Sequence, residues 1–441
     1  MKRFLLLFSA LFLFSSQAFA GGYMVGEMAT RSTGMGSAFT AVADDASAAW
    51  HNPAGVAFLG GSHLMVGGDI ILTKNEYASN SSTKGPGGVP ITNSTKGKDG
   101  TFFVPHAYLT HWYEDSNMGV SLSINAPFGL ETDWPTTAAF NGKNTFSRLN
   151  MVMVNPSIVY KVSDRLAIAA GIDYVYMNKV DLDNTVQTLT GDGDGFGGNI
   201  SLLYKGDKFN FGVNYRSSIK IDVKGTATAV PGGSLASAPF GATSSSATTS
   251  VTLPDQLNVG IAFMPSDQWT LSFDADWVNW KTFDSIDIAY GSGAYRGAVG
   301  GLTVAANGGG LAAIGAAIAA QAGSTSLPQN WKATVDLRAG AEWKYNDQMR
   351  ARFGYVFSPS PINDVDFSPS IPGNDRHIFS VGYGYDVNAE TTMDLGYAYV
   401  MIKDRNQTQS SATPVGAPNT VKNGNYKGTA HILMASISHQ F

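Results

Sequence analysis

From Trp331 to Tyr345 the chain alternates without a break. Trp331, Ala333, Val335, Leu337, Ala339, Ala341, Trp343 and Tyr345 fall on one parity, and Lys332, Thr334, Asp336, Arg338, Gly340, Glu342 and Lys344 on the other. A period of two puts the first set on one face of an extended strand and the charged set on the opposite face. The same separation runs through Trp269 to Trp277, Phe209 to Arg216, Met349 to Phe357 and Met393 to Met401. Alternation alone suits a soluble sandwich as well as a membrane barrel, because both bury one face. Length and ends separate them. Several runs reach about ten to fifteen residues, where a tilted strand crosses a bilayer in roughly 9–11 and soluble strands usually have about five or six. Aromatic residues crowd the ends of the apolar faces, with Trp269 and Trp277 in one run and Trp331, Trp343 and Tyr345 in another, as interfacial girdles require.

Fourteen strand-like runs follow residue 60, near 62–74, 101–112, 118–126, 147–161, 166–182, 196–205, 208–222, 251–264, 268–282, 331–345, 349–358, 376–387, 391–403 and 428–441. Short turns such as Ser163-Asp164, Asn346-Asp347 and Asn388-Ala389 alternate with longer connections, and the last strand places Leu433, Ala435, Ile437 and His439 on alternate positions before Phe441. The expected class is all-β: a transmembrane antiparallel β-barrel of about fourteen strands. A barrel of that size encloses more space than its own side chains fill, so the lumen needs water, a ligand or a plug.

The N-terminal part supplies a candidate plug. Lys2 and Arg3, an apolar run from Phe4 to Phe14 and an A-x-A ending at Ala20 read as a secretory signal over residues 1–20. Residues 21–60 are too rich in Gly, Ala, Ser and Thr for a spanning strand, yet Trp50 and a turn at Pro53 are features of ordered chain. They are expected to fold inside residues 61–441, the barrel. An exported chain with no cysteine cannot rely on disulfides. Its net charge of -5 gives no nucleic-acid footprint. No metal spacing or nucleophile constellation stands out, so no cofactor, metal or catalytic residue is expected. "GDGDGFGG", Gly191 to Gly198, lacks the spaced carboxylates of a calcium loop and reads as a surface turn.

"ADDASAAWHNPAG" after a leader and a Gly-rich run closely resembles the N-terminal hatch of the FadL/TodX family of outer-membrane transporters of long-chain fatty acids and other hydrophobic compounds. "FGLETDW", "NYRSSIKIDVKG", "VTLPDQLNVGIAF" and "FSPSPINDVDFSPSIPGNDRHIFSVGYGYDVN" extend the resemblance in order from residue 21 to Phe441. It implies a fourteen-stranded barrel in the Gram-negative outer membrane, an N-terminal hatch, and a wall opening beside an inward kink in the third strand. A hydrophobic ligand would be captured outside, reach an internal site and leave sideways when the hatch shifts. In this chain the kink falls on "NAPFGL", with Asn125, Pro127, Phe128 and Gly129, where Pro cannot donate to the ladder and Gly marks a bulge; the plain end of a strand is the other reading. Asn52, Pro53 and Ala54 match the hatch triplet, which in the family lies near this kink.

The departures bear on the ligand. Lys332 falls where the family carries a basic ligand-binding side chain, on the polar face of the tenth run; a lumen lysine paired with Asp336 or Glu342 fits equally. Late in the fifth run, where another basic residue is expected, stand Asp181 and Asp183, which favours neutral hydrocarbons over carboxylates. The third outer loop, Asn184 to Gly195, is short, and the fifth carries an Ala/Gly-rich stretch, Ala298 to Gly323, that reads as a helix broken at Gly308 to Gly310 and serving as capture surface or lid. Expected partners are a hydrophobic small molecule, outer-membrane lipid and lipopolysaccharide, and the barrel-assembly machinery through the strand ending at Phe441, with the barrel a monomer. A diffusion porin, argued against by residues 21–60, and a structural or adhesive surface barrel are the rival functions; uptake of aromatic hydrocarbons is the alternative within the transporter reading.

Overall fold

The computed structural model describes residues 22–85, 88–142, 145–232, 235, 243–306, 323–409 and 420–441; the leader lies outside them. Fourteen strands form one antiparallel wall. They are β1 (Ser62–Ala78), β2 (Gly100–Tyr113), β3 (Met118–Asn125 and Leu130–Asp133), β4 (Phe146–Ser163), β5 (Leu166–Asp183), β6 (Gln187–Lys205) and β7 (Phe209–Arg216 and Ile219–Ala229). The wall continues with β8 (Ser244–Leu253 and Gln256–Ser266), β9 (Trp269–Val278 and Ser285–Tyr290), β10 (Thr325–Pro328 and Thr334–Lys344), β11 (Met349–Ser358), β12 (Arg376–Asp386), β13 (Thr391–Ile402 and Arg405–Gln407) and β14 (Gly424–Gln440). β14 returns to β1 in register from His63↔Gln440 to Ala78↔Asn425, which closes the ring. Closure satisfies the edge groups that an open sheet would expose to lipid.

The wall is inside-out relative to a soluble protein. Ile158, Ile172, Ile200, Phe273, Leu337 and Leu395 face outward and exposed, while Asp173, Asp274, Asp276, Arg338, Arg352 and Asp394 point inward and are buried. Only lipid makes the first set favourable. At the short-turn end Trp269 and Trp343, cross-strand partners on β9 and β10, stack with centroids 5.8 Å apart, and Tyr345 meets Trp343 at 5.3 Å.

Three expectations are corrected. Trp331 does not begin a strand or join the girdle; β10 resumes at Thr334, and Trp331 is buried inside the barrel in an aromatic cluster. Gly191 to Gly198 is no turn but part of β6, where Gly193 lies so close to β7 that a Cβ would come within 2.5 Å of the Asp222 carbonyl. The third outer connection is accordingly only residues 184–186, because β6 begins at Gln187.

Residues 22–60 run through the lumen in short pieces: α1 (Thr30–Gly34), α2 (Ala48–His51) and a 3-10 turn over Pro53–Phe58. Small residues let this segment press on the wall. A Cβ on Gly340 would sit 2.4 Å from the Met35 carbonyl oxygen. Asn52 caps the 3-10 turn, its Oδ1 accepting from the Ala54 amide at 3.2 Å, and Pro53 supplies the fixed φ that a first helical position favours. In the fifth outer loop α3 (Gly293–Ala306) starts before the Ala298 stretch and packs Tyr295, Ala298 and Val299 against Ala247, Ile288 and Tyr290. Gly308 to Gly310 and the later half of that stretch lie outside the described residues.

Candidate functional site

β3 breaks over residues 126–129, where Pro127 has no N–H to give the ladder. The break frees one side of the neighbouring strand. Pairing of β2 with β3 stops at Ala107↔Ile124, whereas the outer segment of β3 resumes with β4 at Leu130↔Leu149. Among the described residues, β2 from Gly100 to His106 therefore pairs only with β1. Residues 23–25 meet the broken wall from within. The Val25 amide donates to the Pro127 carbonyl at 2.8 Å, the Gly129 amide to the Tyr23 carbonyl at 2.7 Å, and Met24 forms an antiparallel bridge with Phe128.

The Tyr23 ring continues this strap into a cluster. Its centroid lies 4.9 Å from Trp280, 5.2 Å from Phe283, 5.8 Å from Trp331 and 5.9 Å from Phe128. Burial pushes the phenol above its ordinary pKa, so it stays neutral, and its hydroxyl has no hydrogen-bond partner among the described residues. Tyr23 and Phe283 border a chamber of about 200 Å³ walled by Leu130, Leu149, Val180, Leu189 and Ile286. Polar side chains line it as well, among them Arg148, Asp183, Asn184, Gln187, Asp366 and Lys422. Arg148 is occupied by Asp181, with Nε and Nη2 at 2.9 and 2.8 Å from Oδ2, and by Glu131 at 3.9 Å. At the outer side the Tyr295 hydroxyl donates to Gln187 Oε1 at 3.0 Å, linking α3 to the chamber lining.

The Trp50–Ala54 stretch sits lower. Asn52 Nδ2 donates to the carbonyls of Thr40 (2.7 Å) and Leu202 (3.0 Å), and the Ala54 amide donates to Ser201 Oγ at 3.1 Å, so the triplet is fastened to β6. The main-chain hydrogen bonds between the kink and the segment are made with Tyr23 and Val25 instead. Trp50 and His51 nevertheless share a polar cavity of about 40 Å³ with Pro127, Asp276 and Arg338, which puts the α2 end behind the kink. The Arg216 guanidinium lies 4.0 Å over the Trp50 ring and is ion-paired to Asp173. Burial, aided by Arg338, His106 and Arg216, pushes His51 down to about 3, so it is neutral at neutral pH.

Near the short-turn end the segment is held by charge. Arg31 reaches Asp44 (2.7 Å), Asp45 (3.2 Å) and Glu342 (2.9 Å); Glu342 also meets Arg352 at 2.5 Å, which reaches Asp394 at 2.5 Å. Burial lowers the Arg31 pKa, but Asp44, Glu342 and Asp45 outweigh it and raise it well above the usual value. A polar cleft of about 330 Å³ opens beside this group.

Lys332 is exposed, ahead of the second segment of β10, with its amide donating to the Pro361 carbonyl at 3.0 Å; it is outside the chamber lining, and Asp336 and Glu342 are paired with Arg338 and with Arg31 and Arg352. Asn125 is buried, and Pro127 and Phe128 face inward to the segment. Sequence reading missed Tyr23, Arg148 and Phe283. A lone aromatic in a Gly-rich run was the only signal for Tyr23.

A family model described as outer membrane protein transport protein (OMPP1/FadL/TodX) matches residues 11–441. The chain is similar to the long-chain fatty acid transport protein of Escherichia coli K12, 24% identical over 439 residues covering 89% of this chain and 90% of that one. Among solved structures it resembles a Pseudomonas aeruginosa FadL homologue (TM-score 0.75, 18% identity, 95% and 100% of the two chains) and the Ralstonia pickettii toluene transporter TbuX (TM-score 0.63, 17% identity, 94% and 98%).

Proposed function

Since the chain belongs to the OMPP1/FadL/TodX family of outer membrane transport proteins, a family of transporters for hydrophobic compounds and not of enzymes, we propose that it carries its ligand by lateral exit through the wall. The ligand enters the chamber from outside and rests against Tyr23. Displacement of residues 23–25 then uncovers the unpaired stretch between β2 and the outer part of β3, and the ligand leaves sideways into lipid. A single observation carries this reading: the Tyr23–Val25 strap both borders the chamber and is bonded to the kink. An apolar molecule pushing on the Tyr23 ring therefore acts on the bonds that close the gap. Sideways exit also keeps apolar surface out of water, worth about 25 cal/mol per Å².

Asn52, Pro53 and Ala54 act in this reading as the fixed anchor on β6 against which the strap moves. The ligand is a hydrophobic small molecule, long-chain fatty acids being the class for which the similar Escherichia coli K12 protein is named. A second reading, small aromatic hydrocarbons, is favoured by size, because a dry cavity of roughly 150 Å³ is enough to bind benzene and the chamber holds about 200 Å³.

The test is a lock. Cysteines replacing Met24 and Phe128, bridged across the strap and kink, should abolish uptake of the transported ligand, radiolabelled oleate or toluene, when oxidised and restore it on reduction. Uptake by the oxidised form at the unmodified rate would sink the strap as a gate. The ligand whose uptake is restored identifies the class.

A further inference from the structure

We infer that Asp181 sets the charge selectivity of the chamber, so that it accepts an apolar molecule carrying an uncharged hydrogen-bonding head, such as an alcohol, and turns away a carboxylate. The inference rests on the transport reading above and deepens it.

Arg148 is the guanidinium that lines the chamber, and it is not available. Asp181 and Glu131 are its cross-strand partners on β5 and β3, so the closed wall's register holds all three in one row. Asp181 takes Nε and Nη2 together, while Glu131 stands near Nη1. The remaining charges do not reverse this balance. Lys179 lies 4.0 Å from Asp181, Lys422 donates to the Phe367 carbonyl at 2.8 Å, and Asp183 and Asp366 add two carboxylates to the lining. Arg148, Lys179 and Lys422 thus face Glu131, Asp181, Asp183 and Asp366, a surplus of one negative charge. To bind Arg148, an incoming carboxylate would have to displace a carboxylate already seated and leave the buried Asp181 with only the distant Lys179, most of the cost of a broken buried pair.

An uncharged head meets no such conflict. The Tyr23 hydroxyl, buried and without a partner among the described residues, belongs to a residue lining the same chamber, and Asn184 and Gln187 line it too. A hydroxyl both donates and accepts, which suits that set. A purely apolar ligand would leave the Tyr23 hydroxyl unsatisfied.

Purified protein in lipid nanodiscs, titrated with 1-octanol and with octanoate at pH 8, tests this. The native chain should bind octanol at least about tenfold more tightly. Asp181→Asn keeps the shape, frees the charge of Arg148, and should raise octanoate affinity about tenfold while leaving octanol within about twofold. Arg148→Met added to Asp181→Asn should remove that gain in octanoate affinity. Equal or tighter octanoate binding by the native chain, or an unchanged ratio in a folded Asp181→Asn protein, overturns the inference. Should Asp181→Asn fail to fold, the native ratio still decides. Binding of neither probe overturns it together with the chamber as a ligand site, whereas the expected ratio without uptake by cells sinks only the transport reading.

Discussion

At the outer end of the lumen the N-terminal segment meets the wall through Tyr23, whose ring packs on Trp280, Phe283 and Trp331, and through two main-chain hydrogen bonds to the kink. At the inner end it meets the wall through Arg31, bound to Glu342, which shares Arg352 and Asp394. The two attachments belong to one continuous stretch of chain yet answer to different forces. An apolar ligand can replace the packing at the outer end, contact for contact. It offers nothing to the ion pairs at the inner end. In the transport route proposed above, this difference assigns the motion to residues 22–28 and the fixed base to the remainder.

The largest effect is expected at the base. Arg31→Met removes one member of a largely buried ionic group and leaves Glu342 with Arg352 alone, a loss near the lower end of the about 3–5 kcal/mol of a broken buried pair. The N-terminal segment should become cleavable by added protease and the barrel should pass ions in planar bilayers; an impermeable, protease-resistant variant would show that the base is held by packing instead. Next comes Tyr23→Ala, with a cost of about 3 kcal/mol in lost packing. Here hydrogen exchange should rise at residues 23–25 and 127–129 while the Arg31 region keeps its protection. Exchange spreading to Arg31 would erase the distinction between the two ends.

The smallest effect is on acidification. The folded His51 value, pushed down to about 3, lies below the unfolded value near 6.5. Above pH 6.5 the ring is neutral in both states and costs nothing. As pH falls towards 3 the undocked segment binds a proton that the docked one refuses, so docking weakens across that window. Protease nicking at α2 should increase between pH 7 and pH 4, and His51→Gln should flatten the trend.

The sequence announced the wall because its period-two pattern is written directly in residues such as Trp331 to Tyr345, and the kink because Pro127 and Gly129 fall together where the alternation of the third run stops. It misplaced Trp331 itself: the parity fits the girdle, but the two residues that separate it from β10 let the chain turn inward. Gly191 to Gly198 looked like a turn because glycine usually marks one; here the absent side chains let β6 approach Ile221 and Val223 of β7. Arg148 and Asp181 are 33 positions apart, and their meeting depends on a register that only the folded β4–β5 pair defines. Lys332 was read as inward from its parity, yet β10 has not resumed at that point and the side chain is exposed.

The β1–β14 seam has a consequence for assembly. The first strand of the wall waits for the last, so the cylinder stays open until the final residues have been laid down. The chain that fills it precedes β1 and is tied to strands as distant as β10 and β12. Once the seam is shut nothing can enter through the wall, so the filling either curls in with the sheet or slides in through an end of the cylinder. A defect in residues 22–60 that slows closure would mark the first order of events, and one that leaves closure untouched the second.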